Sequence, residues 1–178
     1  IADDNGPIAI AGVIGGMESA VSMETTSIIW ESATFDAVSV RLTAQRHGIR
    51  TDASTRYEKS LDPLLAETTL PRVIDYMTFL GKKIDIVASA HHLDQKAVKN
   101  IELTVSYEFI SKKVGVNIPK ETTESILENL GFKILKKDDT TFTVQVPSWR
   151  ATKDVSLKED IAEEVGRVFG YEQVPLTP

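Results

Sequence analysis

The chain has no cysteine among its 178 residues. That excludes disulfide bonds, thiolate metal ligands and a cysteine nucleophile. Long apolar runs are also missing, so no segment is suited to span a bilayer as a helix. No leader-like segment opens the chain. No membrane role is expected, and a reducing, cytoplasmic setting is the simplest home. Positive charge is in short supply: 20 Lys and Arg face 26 Asp and Glu, for a net charge of −6. Such a balance argues against a general nucleic-acid coat but leaves room for a local basic site. The histidines are His47, His91 and His92. Nothing in the sequence places one beside a serine, and no HExxH motif is present. The opening residues, IADDNGPIAIAG, read as a segment already inside a fold, so the chain is expected to be a piece of a longer protein.

What is present is most ordered in the last third, VPSWRATKDVSLKEDIAEEVGRVFGY, residues 146–171. An extended segment leads through a Pro-Ser-Trp-Arg corner into an acidic helix. Ser156 and Glu159 have capping-box spacing. Leu157, Ile161, Val165 and Val168 recur at helical spacing and predict a buried stripe, with Gly170 as the stop. Asp160, Glu163 and Glu164 fall within a sector of roughly 100° beside that stripe. Asp154 precedes the helix and could fold toward them. Carboxylates so placed repel unless positive charge sits among them. Two readings stay open: hard oxygen ligands for Mg²⁺, or a solvated face that favours the helix dipole. Trp149 is expected in the core, with Arg150 tethering an acidic neighbour.

In the first half, Pro7–Val13 predicts a buried strand ending in Gly12-Val13-Ile14-Gly15-Gly16. No Lys-Ser/Thr follows, so this is no Walker loop; it is a tight turn or a place where a ligand approaches the backbone. Ser27–Phe35 predicts a second strand, ending near the carboxylate of Glu31. Asp36 caps a helix over Ala37–His47, which Gly48 ends. Arg41, Arg46, His47, Arg50, Arg56 and Lys59 then crowd a short region against Asp52 and Glu58. They could meet a phosphate backbone or pair with nearby acids. Thr51-Asp52-Ala53-Ser54 favours a capped turn and could also floor a narrow polar pocket.

Pro63–Leu80 predicts a helix interrupted or bent at Pro71, with Leu64, Leu65, Val73, Ile74, Met77 and Leu80 available for a core. Lys83–Ala88 adds an edge strand. The polar stretch Ser89–Lys99 predicts a domain boundary. Beyond it come a strand over Asn100–Val105, a helix capped by Ser106, a helix opened by Pro119, a hairpin around Lys136–Asp139, and the acidic helix. That order predicts an α+β chain whose second half is winged-helix-like. Its second helix carries Glu121, Glu124 and Glu128, so a basic recognition helix is absent and a structural or subunit-contact role fits better.

Two blocks carry a resemblance. GVIGGMESAVSMETTSIIWESATFDAVSVRLTAQRHGIRTDASTRYEKSLDP, residues 12–63, is similar to the C-terminal part of the B3/B4 domain in the β subunits of bacterial phenylalanine–tRNA ligases. VPSWR through EDIAEEVGRVFGYEQVP resembles the end of that family's B5 domain. The resemblance implies a partial B3/B4 domain over residues 1–90 and a B5 domain over residues 91–178. It implies an (αβ)₂ enzyme that joins phenylalanine to tRNA(Phe) with ATP, its synthetic site lying in the α subunit. It further implies editing, the hydrolysis of mischarged Tyr-tRNA(Phe).

On that resemblance Gly15 and Gly16 line the editing pocket, Glu31 recognises the tyrosyl hydroxyl, and Thr51, Asp52 and Ala53 form the opposing wall. Arg41, Arg46, Arg50 and Arg56 could receive the 3′ end of the tRNA. Asp154, Asp160, Glu163 and Glu164 match the ligand positions of a Mg²⁺ site shared with the α subunit. The family's editing domain begins upstream of residue 1, which implies an incomplete pocket here and no editing by these residues alone. The rival expectation is a non-catalytic structural or RNA-binding adaptor that packs against a partner subunit.

Overall fold

Turns, rather than long strands, organise the start of the chain. In the computed structural model, which describes residues 1–90 and 100–175, β1 (Ala2–Asp3) pairs with β2 (Gly6–Pro7). The Asp3 carboxylate accepts the Asn5 and Gly6 amides across the turn. β3 (Ala9–Ile10) pairs with β4 (Ile14–Gly15), with Ala9 opposite Gly15 and Ile10 opposite Ile14. The single strand expected over Pro7–Val13 is therefore two short pieces. The chain reverses at Gly12, whose φ of +68° lies in the region that glycine adopts without a Cβ penalty.

The strand expected over Ser27–Phe35 is not formed: the segment has no ladder partner among the described residues, and Ile28, Ile29 and Trp30 are exposed. A strand without a partner has nowhere to place its backbone hydrogen bonds. Helix α1 (Ala37–His47) has the expected ends, with Asp36 accepting the Ser39 amide at 2.9 Å and Gly48 at φ +64°. Helix α2 (Asp52–Tyr57) is capped by Thr51 and Ser54 in a reciprocal pair of hydrogen bonds. Helix α3 (Leu64–Phe79) runs through Pro71 and buries none of its residues. Of its expected core positions, Leu64, Leu65 and Leu80 are about half exposed, and Val73, Ile74 and Met77 are partly covered. The edge strand expected over Lys83–Ala88 is absent. The boundary expected over residues 89–99 lies, from residue 91 onward, outside the described residues, as do His91 and His92.

The chain divides into two units, Ile1–Ala97 and Val98–Pro178. In the second, β5 (Glu102–Ser106) leads to α4 (Tyr107–Val114), capped by Ser106, whose hydroxyl accepts the Phe109 amide. Helix α5 (Lys120–Asn129) starts after Pro119. β6 (Lys133–Lys137) and β7 (Thr141–Gln145) form the hairpin, turned by Asp138, whose carboxylate accepts the Thr140 and Thr141 amides. The sheet is antiparallel in the order β5-β7-β6. Helix α6 (Lys158–Phe169) closes the core. Val105, Ile110, Leu127, Phe142, Val144, Val155, Ile161 and Val165 are each at most 2% exposed. Three helices on a three-stranded sheet with a hairpin wing make this an α+β, winged-helix-like unit.

Two details of α6 differ from expectation. Its first turn is capped by Asp160, which accepts the Ser156 and Leu157 amides at 2.8 Å, and not by a Ser156–Glu159 box. Leu157 sits before the helix in extended backbone, out of helical phase, and is exposed; Val168 is exposed too. The covered line runs instead along Ile161, Ala162, Val165 and Gly166, with Val114 and Tyr171 crowding Gly166. That rotation brings Glu164 inside. Trp149 is half exposed and lies over Gly131 rather than in the core.

Glu164 is 6% exposed. Arg150 donates to both of its oxygens, at 3.1 and 2.7 Å, and Arg167 donates at 3.1 and 2.5 Å. Burial opposes its charge, but the hydrogen bonds from Arg167 and Arg150 prevail and hold its carboxyl at about 2, below its ordinary 4.5. The resulting stabilisation is present above pH 4.5 and is lost as pH falls toward 2. Glu164→Gln is expected to remove that part of the acid-unfolding profile, followed by the amide signals of α6; an unchanged acid limb would show that the charge contributes nothing. A second expectation concerns Thr123, which is 1% exposed and whose hydroxyl has no hydrogen-bond partner among the described residues. Thr123→Val is expected to hold or raise stability by about 1 kcal/mol, because no hydrogen bond is lost and a desolvated hydroxyl is removed. The urea midpoint reads it, and a clear fall would reveal a hidden partner.

Candidate functional site

The glycine turn and the start of α2 are joined by one hydrogen bond. The Thr51 hydroxyl donates to the Val13 carbonyl at 2.5 Å and accepts the Ser54 amide at 3.0 Å. Val13 is buried and Ser54 is buried beside it. The Gly16 amide donates to the Ile8 carbonyl at 2.7 Å, and a Cβ on Gly16 would lie 2.6 Å from that oxygen. Gly16 is thus required by a close backbone approach, whereas Gly15 opens onto free space. Through Val13 and Thr51, the turn that carries Gly15 and Gly16 stands against the first residues of α2. Asp52 is exposed in the first turn of α2, and Ala53 is half-buried behind it.

Glu31 is exposed. The segment that follows it is tied to α3, because Ser32 donates to the Ala66 carbonyl at 2.7 Å and Thr34 to the Asp62 carbonyl at 3.4 Å. Burial first, and then the negative charge of Glu31, push the Tyr57 phenol above its ordinary pKa. The Glu31 carboxylate is therefore within electrostatic reach of the end of α2. Tyr57 packs edge-on against Phe35, with ring centroids 5.0 Å apart and planes at 67°. Sequence patterns gave no reason to single out this pair. The only signal available was the spacing of Phe35 four residues after Glu31 and Tyr57 six residues after Thr51.

The basic residues lie on two helices in contact, α1 and α2, in the link between them and, for Lys59, just past the end of α2. Arg41, Arg46 and Arg56 are exposed. Arg50 and Lys59 each stand 3.6 Å from Glu58, with both cations largely in solvent, a geometry that contributes little to stability. Some of the charge pairs locally, and the rest faces outward.

The four carboxylates of the last third do not gather. Glu164 is occupied by Arg150 and Arg167. Asp154 pairs with Arg150, Asp160 caps α6, and Glu163 faces outward beside Lys113, Glu159 and Tyr171. Among the described residues no group of three or more His, Asp or Glu side chains is placed to hold a metal ion. These residues, as they stand, do not fit a resident Mg²⁺: the positive charge needed among them is supplied by arginine. The Glu164–Arg167 spacing of i, i+3 was the sequence signal for that pairing.

Comparison with known proteins covers both units. The B3/4 domain family matches residues 1–82, and the tRNA synthetase B5 domain family matches residues 103–171. The phenylalanine–tRNA ligase β subunit of Solibacter usitatus is 42% identical over 186 residues, covering 100% of this chain and 24% of that relative. The β subunits of Clostridium tetani and Clostridium acetobutylicum are 33% and 39% identical, each covering 99% of this chain and 22% of the relative. The chain thus spans about a quarter of the length of the curated relatives it matches. With a B3/4 match on the first unit, a B5 match on the second and end-to-end similarity to these subunits, the chain belongs to the phenylalanine–tRNA ligase β-subunit family.

Proposed function

We propose that this chain supplies part of the editing site and the B5 module of a cytoplasmic phenylalanine–tRNA ligase β subunit, with residues 1–90 serving the first role and 91–178 the second. The parent assembly, an (αβ)₂ heterotetramer with the α subunit, joins phenylalanine to tRNA(Phe) using ATP and removes tyrosine from mischarged tRNA(Phe). The observation that carries the reading is the Thr51–Val13 hydrogen bond, which sets the Gly15-Gly16 turn beside Thr51, Asp52 and Ala53. A narrow floor with a carboxylate nearby is the chemistry needed to tell tyrosine from phenylalanine. Glu31 accepts a hydrogen bond from the phenol, and the phenylalanyl ring, which has no hydroxyl, forgoes that bond.

The Thr51 hydroxyl is already engaged twice, so Thr51 serves as a wall and not as a nucleophile. Hydrolysis then rests on a positioned water and on substrate geometry. Arg41, Arg46 and Arg56, with Arg50 more loosely paired, offer outward positive charge to the phosphates of the acceptor end. Use of ATP and Mg²⁺ belongs to the parent enzyme. The carboxylates Asp154, Asp160, Glu163 and Glu164 do not form a cage here, and no step is derived through the ion.

For the B5 unit, a packing role against the partner subunit is favoured over RNA reading. Glu124 on α5 is committed internally, accepting from Tyr107 at 2.6 Å and Lys137 at 2.7 Å. An acidic helix so engaged is not a recognition helix for a phosphate backbone. Glu31→Ala in the complete two-subunit ligase is expected to slow Tyr-tRNA(Phe) hydrolysis by about 10- to 100-fold, the size of one hydrogen bond to a charged group. Phenylalanylation should be unchanged. Equal Tyr-tRNA hydrolysis by the variant and the parent would sink the pocket assignment.

A further inference from the structure

Helix α2 touches the rest of the first unit at both ends. Its start is held by Thr51 on the Val13 carbonyl, and its last residue, Tyr57, packs against Phe35. Phe35 also reaches the glycine turn. A Cβ placed on Gly12 would lie 2.8 Å from Phe35 Cδ2 and 2.9 Å from Val40 Cγ2, so this ring lies directly under the turn. One ring thereby links the turn that leads into Gly15 and Gly16 with the end of the helix that starts at Thr51, and it stands four residues from Glu31. Apart from this ring, hydrogen bonds set these distances: Thr51 on the Val13 carbonyl, Ser32 on that of Ala66 and Thr34 on that of Asp62. Val13 and Val40 are the first unit's buried apolar side chains among the described residues.

From this juxtaposition we infer that Tyr57 is a positioning residue for editing: through Phe35, its ring fixes the Glu31 carboxylate and the glycine turn relative to Thr51–Ala53. The inference rests on the proposed pocket and names the residues that give it its dimensions. The aromatic body carries the role, because the contact with Phe35 is made by the ring. Misplacing a recognition group by a fraction of its hydrogen-bond length weakens the reacting geometry more than it weakens substrate capture. The loss should therefore fall on kcat for Tyr-tRNA(Phe) and on the choice between Tyr-tRNA and Phe-tRNA, rather than on KM.

The test uses the complete α and β ligase with Tyr57→Phe, Tyr57→Leu, Tyr57→Met, Gly12→Ala and Glu31→Ala. Hydrolysis of Tyr-tRNA(Phe) and Phe-tRNA(Phe) is measured beside phenylalanylation. Tyr57→Phe keeps the ring and is expected to edit within about twofold of the parent. Tyr57→Leu is expected to lower kcat for Tyr-tRNA hydrolysis by about 10-fold or more and to reduce the Tyr/Phe hydrolysis ratio, with phenylalanylation retained. Tyr57→Met replaces it should the leucine variant fail to fold. Gly12→Ala, which crowds Phe35 and Val40 and strains a turn at φ +68°, should lose editing too, and counts as support only beside a loss in Tyr57→Leu. Full Tyr-tRNA hydrolysis by Tyr57→Leu and Tyr57→Met, with Glu31→Ala impaired, would overturn the inference and leave the pocket reading standing. A parallel fall in editing, phenylalanylation and thermal stability would also overturn it, in favour of general support. If Glu31→Ala edits normally, the pocket reading fails and this inference falls with it.

Discussion

Glu164 is a carboxylate taken out of water, and the second unit is arranged around keeping it charged. A buried ion is costly unless its oxygens are matched by cations and donors. Here Arg150 comes from the Pro-Ser-Trp-Arg corner, and Arg167 comes from the next turn of the same helix. Arg150 in turn holds Asp154, and Val155 beside it is buried in the core. The link between sheet and last helix is therefore pinned from the strand end, through arginine, to the middle of α6. Replacing such an arrangement with apolar residues can stabilise a fold. What the charges add here is register, since the guanidinium of Arg150 meets both oxygens of Glu164 in one geometry.

The two units solve the problem of cohesion differently. The second has a continuous core from Val105 to Val165, with helices and sheet on either side. The first relies on directed contacts: a hydroxyl on a carbonyl at Val13, reciprocal caps at Thr51 and Ser54, and the Phe35–Tyr57 ring pair. Much of its apolar surface, including Ile28, Ile29, Trp30 and Phe79, faces outward among the described residues. Directed contacts set local geometry well, and local geometry is what a discriminating pocket needs. The proposed editing role and the proposed packing role thus sit on parts of the chain with different physical means.

The elements legible in the sequence were those with local causes. Asp36 and Gly48 bounded α1, Ser106 and Gly115 bounded α4, and Gly131 followed α5, because caps and left-handed stops act within a few residues. The α+β order and the winged-helix-like second half followed from these. The family resemblance named Gly15, Gly16, Glu31 and Thr51 as a group. The sequence could not say that the Thr51 hydroxyl is spent on the Val13 carbonyl, 38 residues away along the chain.

Tertiary structure decided the rest, for one reason: burial and pairing depend on residues far along the chain. Ser27–Phe35 has strand composition but gains no ladder partner among the described residues, and α3 buries none of its apolar residues fully. Leu157 matches the stripe of α6 by number but stands outside the helix, while Glu164, read as part of an acidic face, is drawn inside by Arg150. The sequence by itself determined the ends of α1, α4 and α5 and to which family the residues are similar. Only the folded chain decided which carboxylates meet arginine, which cap a helix, and which rings touch, because those choices are made by neighbours that sequence spacing does not reveal.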